Sequence, residues 1–142
     1  MENMANVASK HRRNRSPTSY PFPPEPIARD RFPKFDWTKT TIFVSMPEYR
    51  DPEFNNTVID LFDKADHPSM IHLTALMQED DDFIRRGEES GYLPPELDQY
   101  SQNITVIAKH YKTAVGAGKA RSDIQKHFKN ETYYLQLDSH HR

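Results

Sequence analysis

The chain has 142 residues, a formal net charge of −2 and no cysteine. The lack of cysteine excludes disulfide bonds and thiolate metal sites, and the small net charge excludes a global field that attracts nucleic acid or an anionic membrane. No segment reaches the roughly 18 apolar residues that a membrane span needs, so we expect a cytoplasmic protein with no nucleic-acid and no membrane partner.

The first 39 residues differ in character from the rest of the chain. Six of the 11 prolines lie between positions 17 and 33, and hydrophobic residues make up only 35% of the sequence. Proline-rich polar sequence buries too little apolar surface to offset its conformational entropy. We predict a disordered, basic and proline-rich tail over residues 1–39 and a folded domain over residues 40–142. The basic cluster at residues 11–15 suits an RNA contact, an import signal or an acidic partner, but solvated disorder is favoured.

After the tail, apolar runs of strand length alternate with amphipathic segments. The runs are TIFVSM, MIHLTALMQ, ITVIAKH and YYLQL, which are rich in β-branched and aromatic residues. A helix is predicted after the first run, with Asp51 as its cap and Pro52 at its first position. A second helix is predicted within residues 114–128. Residues 82–103 are polar and contain two glycines and two prolines, so they predict a mobile loop with one short helix near Glu96.

Repeated strand and helix units predict an α/β fold with a mostly parallel, Rossmann-like sheet. Ligands bind such sheets at the carboxyl ends of the strands. The four predicted strand ends are followed by residues 47–51, 78–82, 110–118 and 138–142, which are rich in charged and imidazole side chains. We therefore expect one site, assembled from separate loops, at this edge of the sheet.

The residues at that edge suit a metal and an anion. Asp138, His140 and His141 offer oxygen and nitrogen ligands to a divalent metal. Positive charge that can neutralise phosphate is offered by Arg50, Lys119 and Arg121. The backbone amides of residues 116–118, at the start of a helix, can approach a diphosphate closely. The combination indicates one site that binds an anion and a metal.

Each of these features also has a structural explanation. Asp51 can be only a helix cap, and Arg50 can pair with it across the turn. The acidic run Asp80–Asp82 can be a solvated turn, or it can hold magnesium in an unrelated phosphoacceptor domain. A catalytically inactive nucleotide-binding or regulatory module is a further alternative. The convergence of several strand ends favours a functional site.

Two segments, TIFVSMPEYRDPEFNNTVIDLFDKADHP and ETYYLQLDSHHR, resemble the N-terminal half of the hydroxyproline N-acetylglucosaminyltransferases. The type member of that family glycosylates the ubiquitin-ligase adaptor Skp1. The resemblance covers about residues 41–142 and is most specific in SMPEYRDP and YYLQLDSH. It implies a GT-A-type fold, a UDP-GlcNAc donor, a divalent metal (Mn²⁺ or Mg²⁺), retention of anomeric configuration and a Skp1-type protein acceptor.

The resemblance also assigns residues to roles. Asp138 and His140 match the family's Asp-x-His metal element, with Ser139 as the spacer. The implied nucleotide-sugar-binding residues are Ser45, Tyr49, Arg50, Asp51, Gln78, Asp80, Lys119 and Arg121. No catalytic nucleophile or base is identified. Because the sequence ends just after the metal element, we expect a truncated GT-A sheet in a fragment or split gene product that binds donor without transferring sugar by itself.

Overall fold

A four-stranded parallel sheet forms the centre of the fold. The structure is a computed structural model that describes residues 36–141, so residues 1–35 of the predicted tail lie outside the described residues. The strands are β1 (Ile42–Tyr49), β2 (Ile71–Glu79), β3 (Ile104–His110) and β4 (Tyr133–Gln136). All neighbouring pairs are parallel, and the strand order is β3-β2-β1-β4. The predicted α/β class with a parallel sheet is confirmed.

Helices cover both faces of this sheet. The α-helices of the described residues are α1 (Phe54–Asp63), α2 (Asp81–Ser90) and α3 (Ala117–Gln125), and a 3-10 helix spans Pro95–Asn103. Side chains alternate between the two faces of a strand. Val44 of β1 therefore packs with α1 and the 3-10 helix, whereas Phe43 packs with α3. Burial on both faces explains why β1 and β2 are nearly continuous apolar runs.

Helix α2 occupies the first part of the segment 82–103, so the prediction of a mobile loop is wrong there, whereas the short helix predicted near Glu96 is present as the 3-10 helix Pro95–Asn103. Asp80 caps the helix by accepting the backbone N–H of Phe83 at 2.9 Å. Asp81 and Asp82 lie in the first turn, where their negative charges interact favourably with the positive end of the helix dipole. Gly87, which suggested a break, is a buried helical residue. The acidic run therefore starts a helix that packs Phe83 on the core.

Helix α1 begins later than the sequence predicted. Asp51 does not cap it directly, because the N-cap residue is Glu53 and the first helical residue is Phe54. The Asp51 carboxylate instead accepts the backbone N–H of Glu53 at 3.0 Å, which forms a turn ahead of the helix. Asp51 is thus held at the end of β1. No helix in the described part of the chain combines the length and the apolar character that crossing a bilayer requires.

The two helical glycines Gly87 and Gly118 predict opposite effects of substitution by alanine. A Cβ on Gly87 would overlap the ring of Tyr92, whereas a Cβ on Gly118 would meet no neighbouring atom. We expect Gly87→Ala to lower the free energy of unfolding by about 1–3 kcal/mol through overpacking. Gly118→Ala should raise it by about 0.4–1 kcal/mol, since alanine restricts the unfolded chain. Urea denaturation measures both, and equal effects of the two substitutions would contradict this packing around α2.

Candidate functional site

The strand order creates a crevice at the carboxyl ends of β1 and β4. Helix α1 leaves β1 on one face of the sheet, whereas α3 enters β4 from the other, and such a reversal opens a crevice between the two strand ends. A cavity of about 630 Å³ lies there. It is lined by Pro47, Glu48, Tyr49, Arg50, Asp51, Pro52, Gln78, Ala114, Gly116, Ala117, Arg121, Asp138, Ser139 and His140. Most of the predicted site residues therefore lie around one cavity.

Three potential metal ligands cluster after β4. Asp138, His140 and His141 form what we call the metal cluster: each offers one potential ligand atom, and these atoms lie within 4.8 Å of one another. The Nδ1 atom of His140 also lies 3.3 Å from Oδ2 of Asp51. A carboxylate behind an imidazole fixes the orientation of the ring and, when that nitrogen carries the proton, leaves the other nitrogen available to a metal. The donor set therefore fits a divalent ion and consists of the three residues that the sequence suggested, of which the family resemblance assigned only Asp138 and His140.

Asp51 connects the β1 exit with the β4 exit. Its Oδ2 accepts the hydroxyl of Ser139 at 2.5 Å, while its Oδ1 accepts the N–H of Glu53. Ser139 is buried, although the sequence suggested only a spacer. A carboxylate shared between two loops fixes their separation, so Asp51 positions the metal cluster relative to the loop after β1.

Arg50 occupies an unusual backbone conformation at the rim of the cavity. Its φ of 49° lies in the left-handed region, which is uncommon for a residue other than glycine and is frequent at functional sites. The guanidinium carbon lies 4.9 Å from the ring centre of Tyr111, and that ring packs edge-on against Tyr49. Arg50 and Tyr49 therefore line the cavity, and Tyr111, which is not in the lining, packs against both of them.

The start of α3 faces the metal cluster across the cavity. Gly116 has a φ of 99° and precedes the first helical residue, Ala117, and both residues line the cavity. From the second turn, Arg121 Nη2 donates a hydrogen bond of 3.0 Å to Oδ1 of Asp138. The Asp138 carboxylate thus lies near two sources of positive charge, which are the N-terminus of α3 and the Arg121 guanidinium.

Three of the residues predicted to bind the nucleotide sugar do not line this cavity. Ser45 lies in the core on the α3 side of the sheet, and its buried hydroxyl has no hydrogen-bond partner among the described residues. Asp80 is the N-cap of α2. Lys119 pairs with Asp123 on α3 and lines a separate, smaller cavity. The structure therefore places these three side chains outside the cavity and does not bring them together with the other predicted binding residues.

Glu48 is a cavity residue that the sequence did not single out. The residue is 2% exposed, and its carboxylate accepts the backbone N–H groups of Asp51 at 2.5 Å and Gln78 at 3.2 Å. It therefore joins the exits of β1 and β2. Burial, together with the nearby Glu79 carboxylate, raises the pKa of the Glu48 carboxyl to about 7. The signal in the sequence was one acidic residue within the otherwise apolar run IFVSMPEY.

Comparison with known proteins supports a class for this fold and site. Residues 74–142 match the protein-family model described as Glycosyltransferase (GlcNAc). The matched segment begins in β2 and includes α2, β3, α3, β4 and the three residues of the metal cluster. No curated protein and no solved structure matches the chain significantly. The match supports a transferase of the GlcNAc glycosyltransferase family by resemblance.

Burial of Glu48 predicts a pH dependence of stability. The folded-state pKa of about 7 lies above the ordinary value of 4.5, so the folded protein retains a proton that the unfolded chain loses. The free energy of unfolding should therefore fall between about pH 4.5 and pH 7, by at most about 3 kcal/mol. Glu48→Gln should remove this part of the slope, as urea denaturation at several pH values would measure. The exposed Glu89→Gln variant is the control, and an unchanged slope in Glu48→Gln would contradict the assignment.

Proposed function

We propose that the cavity binds UDP-GlcNAc together with a divalent metal, and that the chain is the donor-binding part of a GlcNAc transferase. The position of the metal cluster supports this proposal most strongly. The cluster of Asp138, His140 and His141 lies beside Arg121 and the start of α3 at the sheet's crevice, within the segment that matches the family model. Two of the three proposed metal ligands, Asp138 and His140, thus line the same cavity as Arg121 and the start of α3.

A diphosphate leaving group needs its developing negative charge stabilised. A divalent metal, when bound, supplies Lewis-acid stabilisation to that group. Arg121 and Arg50 contribute guanidinium groups that can pair with phosphate oxygens. The first N–H groups of α3 after Gly116 provide further donors at the positive end of the helix dipole. These groups together account for binding and orientation of the donor.

The donor set favours manganese over magnesium. Mg²⁺ prefers oxygen ligands and holds several waters, whereas a mixture of carboxylate and imidazole suits a first-row transition metal. Asp138 supplies the carboxylate, and His140 and His141 supply the imidazoles. We therefore propose Mn²⁺ as the ion that this site holds, with Asp51 behind His140.

The acceptor and the location belong to the same proposal and are supported by the sequence. The resemblance of SMPEYRDP and YYLQLDSH to the hydroxyproline N-acetylglucosaminyltransferases supports hydroxyproline in a Skp1-type protein as the acceptor. The cysteine-free composition supports a cytoplasmic location. Nucleotide binding by the cavity is independent of the acceptor, so it can be tested separately.

The acidic run gives little support to a phosphoacceptor domain. Asp80 caps α2, and Asp81 and Asp82 lie in its first turn. Asp82 also pairs with Arg85 at 3.3 Å on the helix surface. Capping and helix-dipole interactions account for these three carboxylates without a bound metal.

Substitution of Asp138 tests the proposed donor site. Asp138→Ala removes the only carboxylate of the metal cluster, so we expect UDP binding in the presence of Mn²⁺ to weaken at least about tenfold, in line with the loss of a charged ligand. UDP binding without metal should not weaken. Isothermal titration calorimetry with and without Mn²⁺ measures both quantities.

Asp82→Ala is the matched control, because it removes the same charge from the exposed surface of α2. It should bind UDP and Mn²⁺ as the parent chain does. If folded Asp138→Ala bound UDP with Mn²⁺ as tightly as the parent, the metal assignment would have to be abandoned. If Asp82→Ala showed the larger loss, the acidic run would be the metal site.

A further inference from the structure

Arg121 and the metal cluster share one carboxylate. Arg121 Nη2 donates to Oδ1 of Asp138 at 3.0 Å, while Oδ2 of Asp138 lies 4.0 Å from Nδ1 of His141. Both side chains of the Arg121–Asp138 pair are a little under half exposed. The guanidinium therefore already neutralises the carboxylate that a metal ion would use.

Two cations compete for this carboxylate when a metal enters by itself. A divalent ion bound to Asp138 would lie close to the guanidinium of Arg121, and the two positive charges would repel each other. A bound diphosphate would offer Arg121 a second anionic partner, because Arg121 also lines the cavity, as Gly116 and Ala117 do. A long, half-exposed arginine can turn from a carboxylate to a phosphate and keep a charge-assisted hydrogen bond.

We propose that Arg121 is an internal counter-ion of Asp138 that transfers to the diphosphate when nucleotide binds, and so couples metal binding to nucleotide binding. The inference rests on the proposed function of the same cavity. In the free protein Arg121 weakens metal binding, and in the complex it strengthens nucleotide binding. By linkage, the presence of UDP then raises the affinity for metal by the same factor as metal raises the affinity for UDP.

Lys119 provides a matched comparison on the same helix. Its Nζ is 2.5 Å from Asp123, whose carboxylate also pairs with Lys109 and Lys126. Hydrogen bonds from these lysines, first from Lys119, hold the pKa of Asp123 well below its usual range. Lys119 does not line the main cavity. Its removal changes the net charge as the removal of Arg121 does, but leaves the Asp138 pair intact.

The test is a comparison of Arg121→Gln, Arg121→Lys and Lys119→Gln in the full chain. Binding of Mn²⁺ by itself is measured from the loss of the free-ion electron paramagnetic resonance signal. Arg121→Gln should bind Mn²⁺ about two- to fivefold more tightly than the parent, in line with loss of an exposed ion pair that competes with the metal. In saturating Mn²⁺ the same variant should bind UDP roughly tenfold more weakly, since a charged hydrogen bond is lost. Lys119→Gln should change neither quantity by more than about twofold.

Tighter Mn²⁺ binding together with weaker UDP binding in Arg121→Gln distinguishes the counter-ion role from a phosphate contact or a structural ion pair alone. If Arg121 only contacted phosphate, Arg121→Gln would leave the affinity for Mn²⁺ unchanged, and the coupling proposal would be wrong. If the pair only held Asp138 in place, the variant would bind Mn²⁺ more weakly, which also overturns it. Arg121→Lys keeps the charge and should bind Mn²⁺ as the parent does; tighter binding there would contradict a charge mechanism. Mn²⁺-dependent UDP binding that persists in Arg121→Gln with unchanged affinity for Mn²⁺ would refute the coupling and leave the donor site standing, whereas absence of Mn²⁺ binding in the parent would refute both.

Discussion

The parallel pairing of β4 with β1 is the constraint on which the site depends. The register runs from Ile42 opposite Tyr133 to Ser45 opposite Gln136. Beyond the strand, the N–H of Leu137 and the side-chain amide of Gln136 both donate to the carbonyl of Ser45, at 3.0 and 2.9 Å. Because the strands are parallel, the chain after β4 must emerge beside the chain after β1. Without that pairing the Asp-Ser-His sequence would be an ordinary turn.

A buried carboxylate, Glu48, and a partly buried one, Asp51, then fix the loops that emerge at this edge. Glu48 accepts N–H groups from the exits of β1 and β2, and Asp51 accepts groups from both sides of the crevice. A partly buried carboxylate that satisfies several donors holds a geometry more strongly than a surface pair such as Lys64–Asp60. Electrostatic catalysis requires groups that are already oriented before charge develops, and these two residues provide such support to the cavity.

Much of the sheet could be predicted from local pattern, since a buried parallel strand has a short and continuous apolar sequence. The run ITVIAKH coincides with β3, and the four strand exits do adjoin one edge. Helix α2 was missed because Gly87 and the acidic run look like loop residues, although Gly87 packs closely on Tyr92 and Asp80 is a cap. The cost of a glycine in a helix was offset by tertiary packing, which a single sequence does not display.

The candidate site, too, could be predicted from the sequence only in part. Asp138, His140 and Arg121 lie together, and the residue types at strand ends were enough to suggest them. Placement of single side chains was not predictable, because it depends on contacts between distant parts of the chain. Lys119, only two residues from Arg121, belongs to a different ion-pair cluster on α3. The contact of Asp51 with Ser139 joins residues 88 positions apart, and no local pattern reports it.

In the proposed site, metal and nucleotide meet between the exits of β1 and β4. Paramagnetic broadening of backbone amide signals by Mn²⁺ in the presence of UDP locates the ion directly. We expect the strongest broadening at Gly116, Ser139 and Asp51, which line the cavity, and the weakest at Asn103 and Glu131, which line a separate cavity. Strongest broadening at the first turn of α2, or equal broadening throughout the domain, would contradict it.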